Sequence, residues 1–303
     1  MKLSSYGKFA WGNVFYNLLV VVWGAYVRAT GSGAGCGRHW PVCNGEIIPP
    51  DPSFTTMVEY SHRLTSGLAL IGALMLYMIA RKLWEKGQIV RKAAGWTLFF
   101  MLTEATLGAG LVLLELVADD VSVLRIISMP AHLVNTFLLI GTMALTAWWA
   151  SWGAPTRLKR ENWTKMHAAV LFLLLVGISG AITALGDTLF PVDAFGDRDP
   201  STLAAQFLIK MRIVHPAMAV TIGGVIAYMA LQYTQIIYQP LTRTLARILM
   251  TVIMFQVGVG AFNIILRVPV WLQMFHLFTA DVVWISLVLL TAQVMAVESD
   301  TEG

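Results

Sequence analysis

"MVEYSHRLTSGLALIGALMLYMIA", running from Met57 to Ala80, decides how the chain is read. From Leu64 it is an apolar run that, at 1.5 Å per helical residue, continues across hydrocarbon. Its first turns nevertheless carry Glu59, His62 and Arg63: a carboxylate, an imidazole and a guanidinium within five positions. Such groups cost roughly 2.5–3.5 kcal/mol each at the centre of a membrane helix, and less near its ends. Three of them in one span call for a function.

The rest of the chain fixes the class around this stretch. Of 303 residues, 57% are hydrophobic and 13% charged, and the mean hydropathy is +0.69. Soluble proteins carry about 25% charge, so this is an integral membrane protein. A net charge of +4 is too small to imply nucleic acid as a partner. Apolar runs of about 20 residues predict eight helices, over 9–28, 58–83, 93–117, 126–149, 163–185, 207–233, 242–266 and 270–297. The first run is not followed by a small-residue cleavage site and is expected to be retained.

Basic residues set the expected orientation. Lys2 and Lys8 precede the first helix, and Arg81, Lys82, Lys86, Arg91 and Lys92 join the second to the third. Arg157, Lys159, Arg160 and Lys165 join the fourth to the fifth, and Arg243 and Arg247 lie between the sixth and seventh. These are 13 of the 21 basic residues, all on one side. The positive-inside rule makes that side cytoplasmic, with both termini. Loops 29–57, 118–125 and 186–206 then face outward from a plasma (inner) membrane.

The halves echo one another. "GAYVRATGSG" at Gly24 has a weaker counterpart in "GAITALGDT" at Gly180. "EATLGAG" at Glu104 parallels "QVGVGAF" at Gln256, with an acid or amide four residues before a glycine in each. A duplicated four-helix unit follows, giving two pseudo-symmetric four-helix bundles, 1–155 and 156–303.

Four of the six histidines fall on helices 2, 4, 6 and 8, one each: His62, His132, His215 and His276. Each lies five to eight residues into its helix, about 8–12 Å from the outer end. His215 follows His62 by 153 positions, and His276 follows His132 by 144, matching the repeat. A single intramembrane histidine is ordinarily a hydrogen-bonded packing residue. Four at one depth and at repeat spacing read as two pairs of facing imidazoles, the ligand set of a haem iron. Zinc would want three or four ligands per site, and no cysteine or carboxylate recurs at the repeat spacing. His39 and His167 lack repeat partners and read as surface residues.

The halves differ beside these histidines. Glu59 precedes His62 by three positions, which places both on one helical face. In "IKMRIVHPAMA" the residue three before His215 is Arg212, and Pro216 follows it. A carboxylate at one site only points to chemistry in the first half and a supporting role in the second. The plainer alternatives are that Glu59 caps its helix or pairs with Arg63. Arg28, Arg63 and Arg212 are candidates for haem propionates, which suit bidentate guanidinium; interfacial anchoring is the alternative for Arg28.

Cys36 and Cys43 lie in "GSGAGCGRHWPVCNG", in an outer loop where thiols oxidise. A disulfide there would contribute ~2.5 kcal/mol on a chain-entropy estimate. A structural staple over the site and a redox-active pair both fit this placement. The spacing is not the C-x-x-C-H of covalent haem attachment.

"TGSGAGCGRHWPVCNG" at Thr30, "EYSHRLTSG" at Glu59, and His132, His215 and His276 together resemble the haem A synthase family, over essentially the whole chain. The resemblance implies an enzyme that oxidises the C8 methyl of haem O to the formyl group of haem A, by successive hydroxylations and loss of water. It implies substrate haem O between His62 and His132, a haem B cofactor between His215 and His276, and Glu59 as the catalytic acid. It also implies a Cys36–Cys43 disulfide. Implied partners are haem O and haem A, the lipid bilayer, a haem O-producing farnesyltransferase and cytochrome oxidase assembly factors. A homo-oligomer is compatible with the sequence. Three departures from the family pattern stand out. Pro216 follows His215, Glu104 replaces an expected glutamine, and the 186–206 loop carries Asp187, Asp193, Asp197 and Asp199 in place of a cysteine pair. The competing reading, from another class, is a bis-His dihaem electron carrier linked to a membrane quinol. A haem transporter that leaves its cargo unmodified is the third.

Overall fold

A computed structural model of the chain describes residues 3–155, 163–191, 202–236 and 239–296. The described residues form eight long helices: α1 Ser5–Ala29, α2 Phe54–Leu83, α3 Ile89–Leu113, α4 Val123–Trp152, α5 Trp163–Leu189, α6 Leu203–Ile236, α7 Pro240–Ile265 and α8 Val270–Met295. All eight are long and apolar enough to cross a membrane. The protein is therefore an all-α, multi-pass membrane protein. Of the expected features, Lys2, Arg157, Lys159, Arg160, Asp193, Asp197, Asp199 and the end of the last expected span lie outside the described residues.

Most helices reach beyond their apolar cores, because polar caps start them outside the hydrophobic window. Ser53 caps α2 by accepting from the Thr56 amide at 3.2 Å, and Ser122 caps α4 by accepting from that of Arg125 at 3.2 Å. Helix α3 ends earlier than expected, at Leu113, where Glu115 turns left-handed at φ +58°. Glu59 thus lies beyond the first turn of α2, and Ser53 performs the capping.

Packing follows a recurring order. Helix α1 packs on α2 and α4, α2 on α3, and α3 on α4; α5 packs on α6 and α8, α6 on α7, and α7 on α8. Contacts of α8 with α4 and α1, and of α4 with α5, join the two sets. Small residues permit the close approach at the centre. Gly141 on α4 leaves room for Trp284 of α8, which stacks on Phe137 with ring centroids 5.3 Å apart. Asn13, Asn17 and Asp281 are buried among the apolar side chains. Facing outward, α2 presents Leu64, Leu68, Ile71, Met75 and Met78, as a lipid-bathed helix does.

Pro130 and Pro216 sit inside α4 and α6, close to His132 and His215. Each removes a backbone donor from its helix. The Thr183 hydroxyl donates to the carbonyl of Met211, just before this break in α6.

Candidate functional site

His62, His132, His215 and His276 each face a glycine of the preceding helix. A β-carbon added to Gly24 would lie 2.9 Å from His62 Cε1, one on Gly180 3.0 Å from His215 Cε1, and one on Gly260 3.1 Å from His276 Cε1. On Gly108 it would lie 3.9 Å from His132 Nε2. The odd-numbered helices thus provide the space for the imidazoles of the even-numbered ones, four times over.

In the second half the rings come together. His215 and His276 have centroids 6.5 Å apart with their planes at 84°. Two imidazoles bound to opposite faces of one metal, with metal–nitrogen bonds of about 2 Å, have centroids ~6 Å apart, so this pair fits a haem iron. His62 lies within electrostatic range of His132 and Glu104. In the first pair the Nδ1 atoms of His62 and His132 are buried without hydrogen-bond partners. Glu104 Oε1 stands 3.3 Å from His132 Nδ1, close enough for strong attraction but off the angle of a hydrogen bond. In the second pair Ser179 Oγ is 2.9 Å from His215 Nδ1, and Gln256 Nε2 is 3.3 Å from His276 Nδ1. Ser179 Oγ donates to Val176 O and so can accept from His215 Nδ1, which holds that imidazole as metal-ligating histidines usually are. His39 and His167 are exposed, as surface residues are.

Glu59 is 3% exposed and doubly held. Oε2 accepts from the Cys36 amide at 2.8 Å, and Oε1 accepts from Arg63 Nε at 3.1 Å and from its Nη2. Arg63 Nη1 also donates to the Val42 carbonyl at 2.6 Å. The pairing with Arg63 is therefore present, and it ties α2 to the loop. Cys36 and Cys43 form a disulfide with Cα atoms 4.4 Å apart, both fully buried. The Asn44 amide donates to the Cys36 carbonyl at 3.0 Å, and Thr56 Oγ1 donates to Gly35 O at 2.8 Å, so the loop lies on the start of α2.

Gly35 is the point of closest approach. A β-carbon there would lie 2.4 Å from Thr55 O and 2.6 Å from Thr56 N, main-chain atoms that cannot swing aside. Gly35→Ala is expected to lift the loop from α2, remove the Cys36–Glu59 hydrogen bond and cost about 1–3 kcal/mol. Thermal unfolding in detergent checks it: an unchanged Tm would show that the loop is not seated as described.

All three candidate propionate-binding arginines have protein acceptors. Arg28 Nη1 donates to Ala184 O at 2.6 Å and to Thr188 Oγ1, and its Nη2 donates to Gln273 Oε1 at 3.1 Å, bridging α1 to α5 and α8. Arg212 Nε donates to Asp187 Oδ1 at 2.7 Å and its Nη2 to Phe190 O. Arg63 holds Glu59. In this arrangement they brace the histidine-bearing end of the bundle. Sequence reading missed Ser179, Asn135, Thr136 and Thr279. Their signal was available in part, since Asn135, Thr136 and Thr279 stand three or four residues after His132 or His276 and so share their face.

Histidines paired across a membrane helix bundle are the arrangement from which such bundles build sites for planar metal cofactors. Residues 7–288 match the COX15-CtaA family model, described as cytochrome oxidase assembly protein, and the chain belongs to that family. Two Thermus thermophilus proteins named protoheme IX farnesyltransferase are 44% and 43% identical to it over 302 residues, 97% of this chain and 50% of theirs. The chain therefore spans about half the length of these relatives. A Bacillus cereus protein named heme A synthase is 41% identical over 95 residues, 31% of this chain and 30% of that protein.

Proposed function

We propose that the chain is a haem A synthase, oxidising the C8 methyl of haem O to the formyl group of haem A for cytochrome oxidase. Haem O is bound in the first half by His62 and His132. Haem B is held in the second by His215 and His276, and when bound it supplies electron transfer. The observation that carries this reading is the asymmetry at one helical position. Three residues before its histidine, α2 has the buried carboxylate Glu59, whereas α6 has Arg212. Family membership and the heme A synthase relative agree with it.

Within this reading the residues divide the work. His62 and His132 orient the substrate, and Glu59 accepts a proton or stabilises positive charge developing at the methyl carbon. Arg63 and the Cys36 amide hold that carboxylate in place, and the disulfide-closed loop shields it from water. The four-helix units 1–155 and 156–303 are a substrate half and a cofactor half. Both termini are cytoplasmic and the histidines lie toward the outer face of the plasma membrane. A farnesyltransferase that makes haem O is the proposed supplier of this insoluble substrate. The Thermus relatives named for farnesyl transfer carry a stretch like this chain and as much sequence again, which supports this supplier.

Protein purified from cells that make haem O tests the assignment. Extraction is expected to give haem B together with haem O or its oxidised products, in comparable amounts. Haem B alone at twice that amount would instead make the chain a dihaem electron carrier.

A further inference from the structure

The two halves differ in what stands behind the histidine of their last helix. Glu104 on α3 and Gln256 on α7 each precede by four residues the glycine that faces that ring, Gly108 or Gly260. Each reaches the ring of its histidine: Glu104 Oε1 is 3.3 Å from His132 Nδ1, and Gln256 Nε2 is 3.3 Å from His276 Nδ1 and 3.4 Å from its Nε2. The position repeats and the charge does not. Glu104 is locked in place, because Asn135 Nδ2 donates to Oε2 at 2.6 Å and the Thr136 hydroxyl donates to Oε1. Asn135 is itself held, accepting from Thr103 Oγ1 at 2.6 Å and donating to Phe100 O at 2.9 Å. Gln256 is anchored by the Thr279 hydroxyl and by its own bond to the His276 carbonyl at 3.1 Å.

We infer that Glu104 is a positioning residue which would strengthen His132 as an iron ligand, so that the carboxylate-for-amide exchange between Glu104 and Gln256 sets the two haem irons apart. The inference rests on the assignment of the four histidines as iron ligands. When a histidine gives Nε2 to iron, its ring proton must reside on Nδ1. Beside His132 a carboxylate oxygen stands 3.3 Å from that nitrogen; beside His276 the group at that distance is an amide nitrogen, which carries no charge and does not accept the proton. A carboxylate this close attracts the Nδ1 proton by its charge, even off the hydrogen-bond angle, and so pushes electron density through the imidazole toward the metal. Such a ligand favours the oxidised iron and lowers its reduction potential. The half with the stronger ligand is also the half with Glu59, where oxidation of the substrate is proposed. The second half is surrounded by the neutral Ser179 and Gln256, as befits a site that only passes electrons.

Potentiometric titration of the purified protein, followed in its haem absorption bands, tests this with reciprocal variants. Haem content is read first, in the wild type and in His132→Ala. If no haem is lost with His132, the ligand assignment itself fails, and that failure is separate from the one at issue. With both haems bound, Glu104→Gln is expected to shift one midpoint upward and leave the other in place. Gln256→Glu is expected to shift the other midpoint downward. Midpoints unmoved in both variants would overturn the inference. Should Glu104→Gln not retain its haem, Gln256→Glu decides alone: a downward shift supports the inference, and an unmoved second midpoint overturns it.

Discussion

Glu59→Ala is expected to abolish conversion of haem O while leaving haem binding largely intact. The carboxylate is no iron ligand in this account; the histidines are, and they stand on packed helices that do not need it. What the substitution removes is the group that handles the proton or positive charge at the reacting methyl carbon. Positioned acids and bases typically contribute about 10²–10⁴-fold to a rate, so loss of that order is expected in haem A yield per bound haem O. Glu59→Gln sharpens the result, because an amide keeps the size of the side chain and one accepting oxygen, enough for the Cys36 amide that seats the loop, while losing the charge. A Gln variant as inactive as Ala assigns the loss to the missing charge. Normal haem A yield from either would remove Glu59 from the chemistry and leave it as the pin between α2 and the loop.

His276→Ala is expected to deplete haem B from the purified protein and leave haem O binding in the first half. His276 faces His215 at 6.5 Å between centroids, and one imidazole does not replace two. Conversion should fail as a consequence, with unmodified haem O retained. His132→Ala is the mirror image: haem B stays and haem O is lost. Extracted haems, separated by chromatography, read both variants in one experiment. An unchanged haem B content in His276→Ala would break the assignment of the second half. Equal loss of both haems from either variant would mean that the halves do not hold them independently.

The helices were legible because eight runs of about 20 apolar residues leave no other solution in a bilayer. Their ends were not, since Ser53 and Ser122 are polar and hydropathy does not see a cap. The histidines were legible through repeat spacing, which turned four single residues into two pairs. What surrounds them was only half legible. Glu104 and Gln256 stood out by their place in the repeat, yet nothing local showed that they reach His132 and His276. Arg28 looked like an interfacial anchor or a propionate ligand, and its partners lie 156 to 245 positions away on α5 and α8. Glu59 looked equally like a catalytic acid and an ion-pair partner. The structure supplies the ion pair with Arg63 and adds the Cys36 amide, a contact set by how a glycine-rich loop folds back over its helix.

Chromatography of haems extracted from membranes that express the chain together with a source of haem O puts the central claim to its most direct test. The account predicts haem A or its hydroxymethyl precursor in those membranes, and haem O alone when Glu59→Ala replaces the wild type. Haem O recovered unchanged with the wild-type chain, bound by it and supplied with reductant and oxygen, would contradict the account and leave a protein that carries haem without altering it.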